Sequence, residues 1–456
     1  MPKSEDTAEP RAAAEPFMRH VDTLIHARWI APMSGATRLL EQHTIAIADG
    51  EIVAVAPQDE AREAFTADDV VERPDHLLVP GFINTHTHAA MNLMRGIAND
   101  KPLMPWLTEN IWPIEAAEMN REYVADGTDL AMAEMIRSGT TCFNDMYFFP
   151  DVVADRVDAA GLRATLGMIV IDFPTAWASE PAEYFDKGLA LHDRVKAHPR
   201  INTAFAPHAP YTVSDGPLDK IRTYADELDV RIHMHIHETA GEVSDGLNQH
   251  GKRPLARLDE LGLVNDNLMA VHMTQLTGAE IARCAARGVQ VLHSPESNLK
   301  LASGLCPVQG LLDAGVNVAL GTDSTASNND LDMIGEMRTA AFIGKIAADD
   351  AAALSADTAL AMATVNGAKA LGIAETTGSI AIGKQADLAA IDLSALETRP
   401  LFDPIAALVY NTSREQVSDT WVAGQALMKA RRLTTLDEAD VMSRANAWGQ
   451  HLARYA

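Results

Sequence analysis

Nine residues, Pro80-Gly81-Phe82-Ile83-Asn84-Thr85-His86-Thr87-His88, read as an apolar strand that ends in His-x-His. Alternate residues of a strand face the same side, so both imidazoles can point into one site. Alone, such a pair could equally be two solvent-facing histidines at a strand end. A second run, Arg231-Ile232-His233-Met234-His235-Ile236-His237-Glu238-Thr239, puts three histidines on one face if the strand continues that far. One of the three should reach the mouth of a site and bind metal. The others read as hydrogen-bonded core or rim residues. Glu238 follows at once and could serve as an acid or base, or cap the next helix. Two more apolar strands end in chemistry, 268–272 at His272 and 318–323 at Gly321-Thr322-Asp323. Taken singly, His272 reads as a packed histidine and Asp323 as an N-cap or turn residue. Taken together, four strand ends offer His, His, His and Asp to one rim. That donor set suits Zn²⁺, with Fe²⁺ as the alternative.

The elements that must position these residues alternate along the middle of the chain. Short apolar runs at 82–85, 140–144, 163–169, 202–206, 231–235, 268–272, 290–293 and 317–321 read as strands. Helical patterns at 121–137, 218–228, 278–287 and 330–345 lie between them. Eight strands alternating with helices predict a parallel (β/α)8 barrel of the TIM type. A doubly wound open sheet would give the same string. The polar residues at the C-terminal strand ends favour the barrel, whose active sites sit there. Before residue 80 the pattern is short strands, with 43–48 and 51–56 flanking Asp49-Gly50, a two-residue hairpin signal. Strand patterns return at 383–393 and 417–422. The two ends should therefore build one small β-sandwich. The expected division is a disordered tail at 1–16, a β-sandwich from 17–79 and 372–456 with a C-terminal helix, and the barrel at 80–371.

Composition excludes several classes. The chain has 456 residues, 47% hydrophobic and 22% charged, enough to bury a large core. Its formal net charge of −26 would repel nucleic acid and anionic membrane surfaces. No stretch of about 18 apolar residues suggests a membrane span. The N-terminus, rich in Ala, Glu and Pro, lacks the apolar core of a signal peptide. The three cysteines, Cys142, Cys284 and Cys306, show no CxxC and read as structural, which points to a reducing cytoplasm.

These segments resemble the amidohydrolase superfamily over nearly the whole chain. They are most similar to the aminohydrolase branch that includes 5′-methylthioadenosine and S-adenosylhomocysteine deaminases and triazine hydrolases. The motifs that carry the resemblance are Pro-Gly-Phe-Ile-Asn-Thr-His-Thr-His, the His-x-x-Glu-Thr that begins at His235, Ser297-Asn298-Leu299-Lys300-Leu301, and Gly-Thr-Asp followed by Ala326-Ser327-Asn328-Asn329. The resemblance implies that His86, His88, His235 and Asp323 bind one Zn²⁺ (or Fe²⁺). It implies that Glu238 and His272 stand beside the attacking water. Two-metal relatives usually carry a lysine at the end of the fourth strand. Here the candidate strand has none, and His208 at its end is expected to contact substrate. After His293 the branch often shows Asn-Pro-Ala; this chain has Ser294-Pro295-Glu296, an extra carboxylate near the rim.

The implied activity is that of an aminohydrolase acting on the C–N bond of a cyclic amidine. In that chemistry Asp323 accepts a proton from water, Glu238 protonates the ring nitrogen, and His272 holds the attacking oxygen. The segment 101–118 is too long for an ordinary βα connection and should cover the mouth. Nucleoside-deaminase members grip the ribose hydroxyls with a Glu in the matching Pro-Ile-Glu, here Glu115. Trp106 in the same segment is a further substrate contact to test, against packing as core together with Trp112. Some members carry arginines after the third strand for a substrate carboxylate. The stretch 168–180 has neither arginine nor lysine, which favours a methylthio group over a zwitterionic tail. The expected substrate is a small nucleoside, 5′-methylthioadenosine ahead of S-adenosylhomocysteine and adenosine. A hydrolase of guanine or a triazine is the second reading, and a non-catalytic scaffold the third. The family also suggests a homodimer.

Overall fold

The computed structural model describes residues 18–455 and opens on a sheet that the two ends of the chain share. The expected tail at 1–16 lies outside the described residues. Strands β1 (Arg19–Ile30), β2 (Leu40–Ala48), β3 (Glu51–Pro57) and β4 (Phe65–Pro80) supply one half. The turn between β2 and β3 is Asp49-Gly50, with φ of 52° and 80°. Positive φ at both central residues is what a tight hairpin between right-twisted strands requires.

After Pro80 the chain builds eight parallel strands: β5 (Phe82–Thr87), β6 (Thr140–Asp145), β7 (Arg163–Val170), β8 (Ile201–Pro207), β9 (Arg231–Ile236), β10 (Leu268–His272), β11 (Gln290–His293) and β12 (Asn317–Leu320). Each pairs with the next in sequence order, the succession of a (β/α)8 barrel. The seam between β12 and β5 is closed largely by side chains. Thr85 Oγ1 donates to the Leu320 carbonyl at 2.8 Å, and Asn84 exchanges hydrogen bonds with Thr322. Gly321 makes this approach sterically feasible, since a Cβ there would lie 2.6 Å from the His86 nitrogen. The Asp323 N–H then donates to the His86 carbonyl at 2.9 Å, which ties two of the expected site residues together through the backbone.

The chain returns to the first sheet with β13 (Leu388–Asp392), β14 (Val417–Val422), β15 (Gln425–Lys429) and β16 (Arg432–Leu433). The result is one mixed sheet of order β16-β15-β14-β13-β4-β1-β2-β3. Its two halves share an apolar core that includes Ile45, Ile47 and Ile52 from one side and Leu388, Ala390 and Trp421 from the other. A buried ion pair between Arg163 on β7 and Asp387 joins the sheet to the barrel at 2.9 Å. Below the site the barrel carries an apolar layer of Ile83, Cys142, Ala204, Met269, Val271, Leu292 and Ala319. All three cysteines are buried and unpaired. Among the described residues no helix is long and apolar enough to cross a membrane.

Candidate active site

The four strand ends that carry ligand-type residues meet at one point. The His86 ring centroid lies 4.8 Å from that of His88 and 4.9 Å from that of His235. Asp323 Oδ1 is 3.4 Å from both His86 Nε2 and His88 Nε2. His235 Nε2 is 3.3 Å from His86 Nε2. The opposite ring nitrogens are held from behind. His88 Nδ1 donates to the Met146 carbonyl at 2.5 Å, and His235 Nδ1 to the His208 carbonyl at 2.7 Å. A carbonyl only accepts, so each proton sits on Nδ1 and each Nε2 lone pair faces the common point. His86 Nδ1 faces another imidazole, His233 Nε2, at 2.9 Å.

Burial sets the protonation of this cluster. It lowers His86 to about 4 and His208 to about 3, and pushes His235 well below the usual histidine range. Burial alone would raise Asp323, but its hydrogen bond with His86, together with the neighbouring His88 and His272, holds its carboxyl well below the usual range. Neutral His86 and His235 beside an ionised Asp323 are in the forms that bind a metal ion. Asp323 Oδ2 accepts from Ser297 Oγ at 2.6 Å and Oδ1 from the Ser324 N–H at 2.7 Å.

Strand β9 stops at Ile236. His237 turns into the left-handed region, φ 54°, and turns away from the cluster, its Nε2 accepting from the Leu255 N–H at 3.1 Å. Glu238 then enters the pocket wall, with Oε2 3.7 Å from His272 Nε2. Burial raises Glu238 to about 8, helped by the nearby Asp323 charge, so it carries its proton at neutral pH. His272 Nδ1 donates to Asn298 Oδ1 at 2.9 Å, which leaves Nε2 as an acceptor facing Glu238. The next helix is capped by Thr239, and Glu238 takes no part in that cap. His272 and Asp323 also have left-handed backbone, φ 72° and 64°. Such conformations cost ~1–3 kcal/mol each and cluster where function requires them.

The pocket beside this cluster contains every expected substrate contact. Trp106, Glu115 and His208 line it, with the helical segment 103–118 covering the mouth through Leu103, Leu107, Ile111 and Trp112 as well. Trp112 is therefore a wall residue rather than pure core. Glu115 accepts a hydrogen bond from Tyr147 Oη at 2.8 Å, and burial raises its carboxyl to about 7. Ile169, Ile171, Phe173, Pro174, Thr175 and Ala176 complete an apolar side. Glu296 does not line the pocket; its carboxylate accepts from Thr339 Oγ1 at 2.7 Å on a neighbouring helix. Strand β8 carries no lysine.

Three contributors escape sequence reading. Tyr147 sits in an irregular stretch after β6. Asn298 lies within a quoted motif but shows its partner only in the fold. Glu242 accepts from the His237 and Glu238 N–H groups at 2.9 and 2.7 Å and so fixes the turn that presents Glu238. Its signal was present, because Thr239-x-x-Glu242 has the spacing of a helix-capping box.

The profile of the amidohydrolase family matches residues 77–427. The chain belongs to the amidohydrolase family. Among similar proteins is one from Teredinibacter turnerae named 5-methylthioadenosine/S-adenosylhomocysteine deaminase, 48% identical over 95% of this chain and 98% of the relative. A protein of the same name from Saccharophagus degradans is 47% identical over 94% of this chain and 96% of the relative. The crystal structure of an adenosine deaminase from Xanthomonas campestris with bound zinc superposes with a TM-score of 0.95 and 53% identity, covering 96% of this chain and 100% of that one. An atrazine chlorohydrolase from Arthrobacter aurescens, at 23% identity, 93% of this chain, 99% of that chain and TM-score 0.87, shares the fold. In this amidohydrolase, as in the fold class generally, the candidate site occupies the C-terminal mouth of the barrel.

Proposed function

We propose that this amidohydrolase hydrolytically deaminates adenosine derivatives, with 5′-methylthioadenosine the preferred substrate. The observation that carries the reading is one pocket lined by His88, His235 and Asp323 of the His/His/His/Asp cluster and by the buried carboxylate of Glu115. The relatives named for 5-methylthioadenosine and S-adenosylhomocysteine support it. A guanine or triazine hydrolase would have no ribose for Glu115, and a scaffold would not need this donor set.

The residues fit one divalent metal ion. His86, His88 and Asp323 offer donor atoms within 4.8 Å of one another, and His86, His235 and His272 form a second such group. We assign His86, His88, His235 and Asp323 as ligands, with Zn²⁺ the ion and Fe²⁺ the alternative that the same donors accept. When bound, the ion lowers the pKa of water toward neutrality and so supplies the nucleophile. Asp323, ionised, accepts a proton from the attacking water. Glu238, protonated at neutral pH, delivers its proton to the ring nitrogen beside the amine-bearing carbon. The carboxylate left behind takes up the proton that Asp323 gained and passes it to the departing amine, and the proton of the new hydroxyl returns to Glu238 as the carbonyl forms. His272 Nε2 accepts a hydrogen bond from the attacking water. The C–O bond forms, the C–N bond breaks, and ammonia leaves. His272→Ala is accordingly expected to lower turnover with metal content retained. Zinc loss in step with activity, read by elemental analysis, would make His272 a ligand instead.

Glu115 should recognise the ribose hydroxyls, with Tyr147 holding one of its oxygens. Hydrogen bonds to a charged group contribute ~1.5–3 kcal/mol each. Glu115→Ala should therefore cost a nucleoside at least about tenfold in kcat/KM, and far more than any free base the enzyme accepts. Its titration gives a pH test. Burial raises Glu115 to about 7, so it gains a proton and loses its charge as pH falls through that value. The Kd of a non-reactive inosine analogue, measured by calorimetry, should rise below about pH 7 and level off above it. Glu115→Gln should flatten that profile. An unchanged slope would leave Glu115 out of recognition.

The apolar side formed by Ile169, Ile171, Phe173 and Pro174 favours a methylthio group over a tail with a carboxylate and an ammonium. Competition between 5′-methylthioadenosine and S-adenosylhomocysteine in one assay should give the former the higher kcat/KM. The opposite order would contradict this part of the reading.

A further inference from the structure

The three imidazoles assigned above as ligands are not held alike. His88 and His235 each give the Nδ1 proton to a main-chain carbonyl, which can only accept. Their Nε2 lone pairs are thereby fixed. His86 Nδ1 instead meets His233 Nε2 at 2.9 Å, and an imidazole can take either role in that bond. His233 is fully buried on β9, two residues before His235, and its Nδ1 has no partner among the described residues.

Two neutral arrangements are therefore open. In one, His86 donates from Nδ1, its Nε2 lone pair faces Asp323 and His235, and the His233 proton sits on Nδ1. In the other, His233 donates from Nε2 and the His86 proton sits on Nε2, pointing at Asp323 Oδ1 3.4 Å away. Both contain the same number of protons. Only the first leaves His86 able to bind a metal ion through Nε2.

We infer that His233 is a positioning residue for the metal site: by accepting from Nδ1 of His86 it sets the tautomer and orientation of that ligand. The inference rests on the ligand set proposed above. Partners of this kind typically change metal affinity by ~10–100-fold when removed. The role is specific to the acceptor atom. A leucine keeps the volume and loses the acceptor, whereas a glutamine can place an amide oxygen near the position of Nε2.

The test is competition for Zn²⁺ between a chelator and the metal-stripped full-length protein, as wild type, His233→Leu, His233→Gln and His86→Ala. Circular dichroism and thermal melting of the stripped proteins report folding. His233→Leu should bind Zn²⁺ ~10–100-fold more weakly than wild type, and His233→Gln should stay close to wild type. Wild-type affinity in a folded His233→Leu, or a His233→Gln as weak as the leucine variant, would overturn the inference. If His86→Ala bound Zn²⁺ as tightly as wild type, the ligand set itself would be wrong and the inference would fall with it. Nitrogen-15 histidine spectra of zinc-loaded wild type need no variant. They should show His86 protonated on Nδ1 and His233 unprotonated on Nε2; a proton on His233 Nε2 would also overturn it.

Discussion

Glu238→Gln is expected to retain metal and to lose turnover by ~10²–10⁴-fold, the usual contribution of a general acid–base group. The carboxyl is buried in the pocket wall and pushed up to about 8, so it enters the reaction as an acid. An amide of the same shape can keep the weak contact from Ser303 but cannot release or regain a proton. The main-chain hydrogen bonds from His237 and Glu238 to Glu242 do not involve the Glu238 side chain, so the turn should survive. Metal content and steady-state kinetics on the same preparation would check this. A loss below tenfold would remove Glu238 from the chemistry.

Asp323→Asn should act on both metal and rate. The carboxylate faces His86 and His88 at 3.4 Å and is held ionised by them. Asparagine offers a weaker neutral donor and cannot take a proton from water. Zinc affinity should fall, and saturating the variant with zinc should still leave kcat at least ~10²-fold below wild type. Full activity at saturating zinc would mean that Asp323 is a ligand only. The main-chain link from Asp323 to His86 does not depend on its side chain, so the barrel seam should hold.

Much of the positioning framework was legible because it follows from period and punctuation. Apolar runs bounded by polar strand ends located the eight barrel strands, and Asp49-Gly50 located the hairpin between β2 and β3. The sharing of one sheet by both chain ends was only a pattern match in sequence. The pairing of β4 with β13 joins residues some three hundred positions apart, which no local signal encodes. The run His233, His235, His237 shows the limit for the site. All three share a sequence pattern, yet only His235 faces the common point of the cluster. His233 lies beneath His86, and His237 leaves the strand in a left-handed turn. Strand length and backbone strain decided among them. Glu296 illustrates the converse, a carboxylate close to the rim in sequence whose bond to Thr339 takes it out of the pocket.

The central claim, metal-dependent hydrolytic deamination of a nucleoside, is tested most directly in oxygen-18 water. Zinc-loaded protein and 5′-methylthioadenosine should yield one ammonia per nucleoside consumed and one labelled oxygen at the carbon that bore the amine. Removing the metal with a chelator should stop the reaction, and restoring zinc should recover it. Absence of ammonia from zinc-loaded, folded protein, or turnover that persists after complete metal removal, would contradict the account.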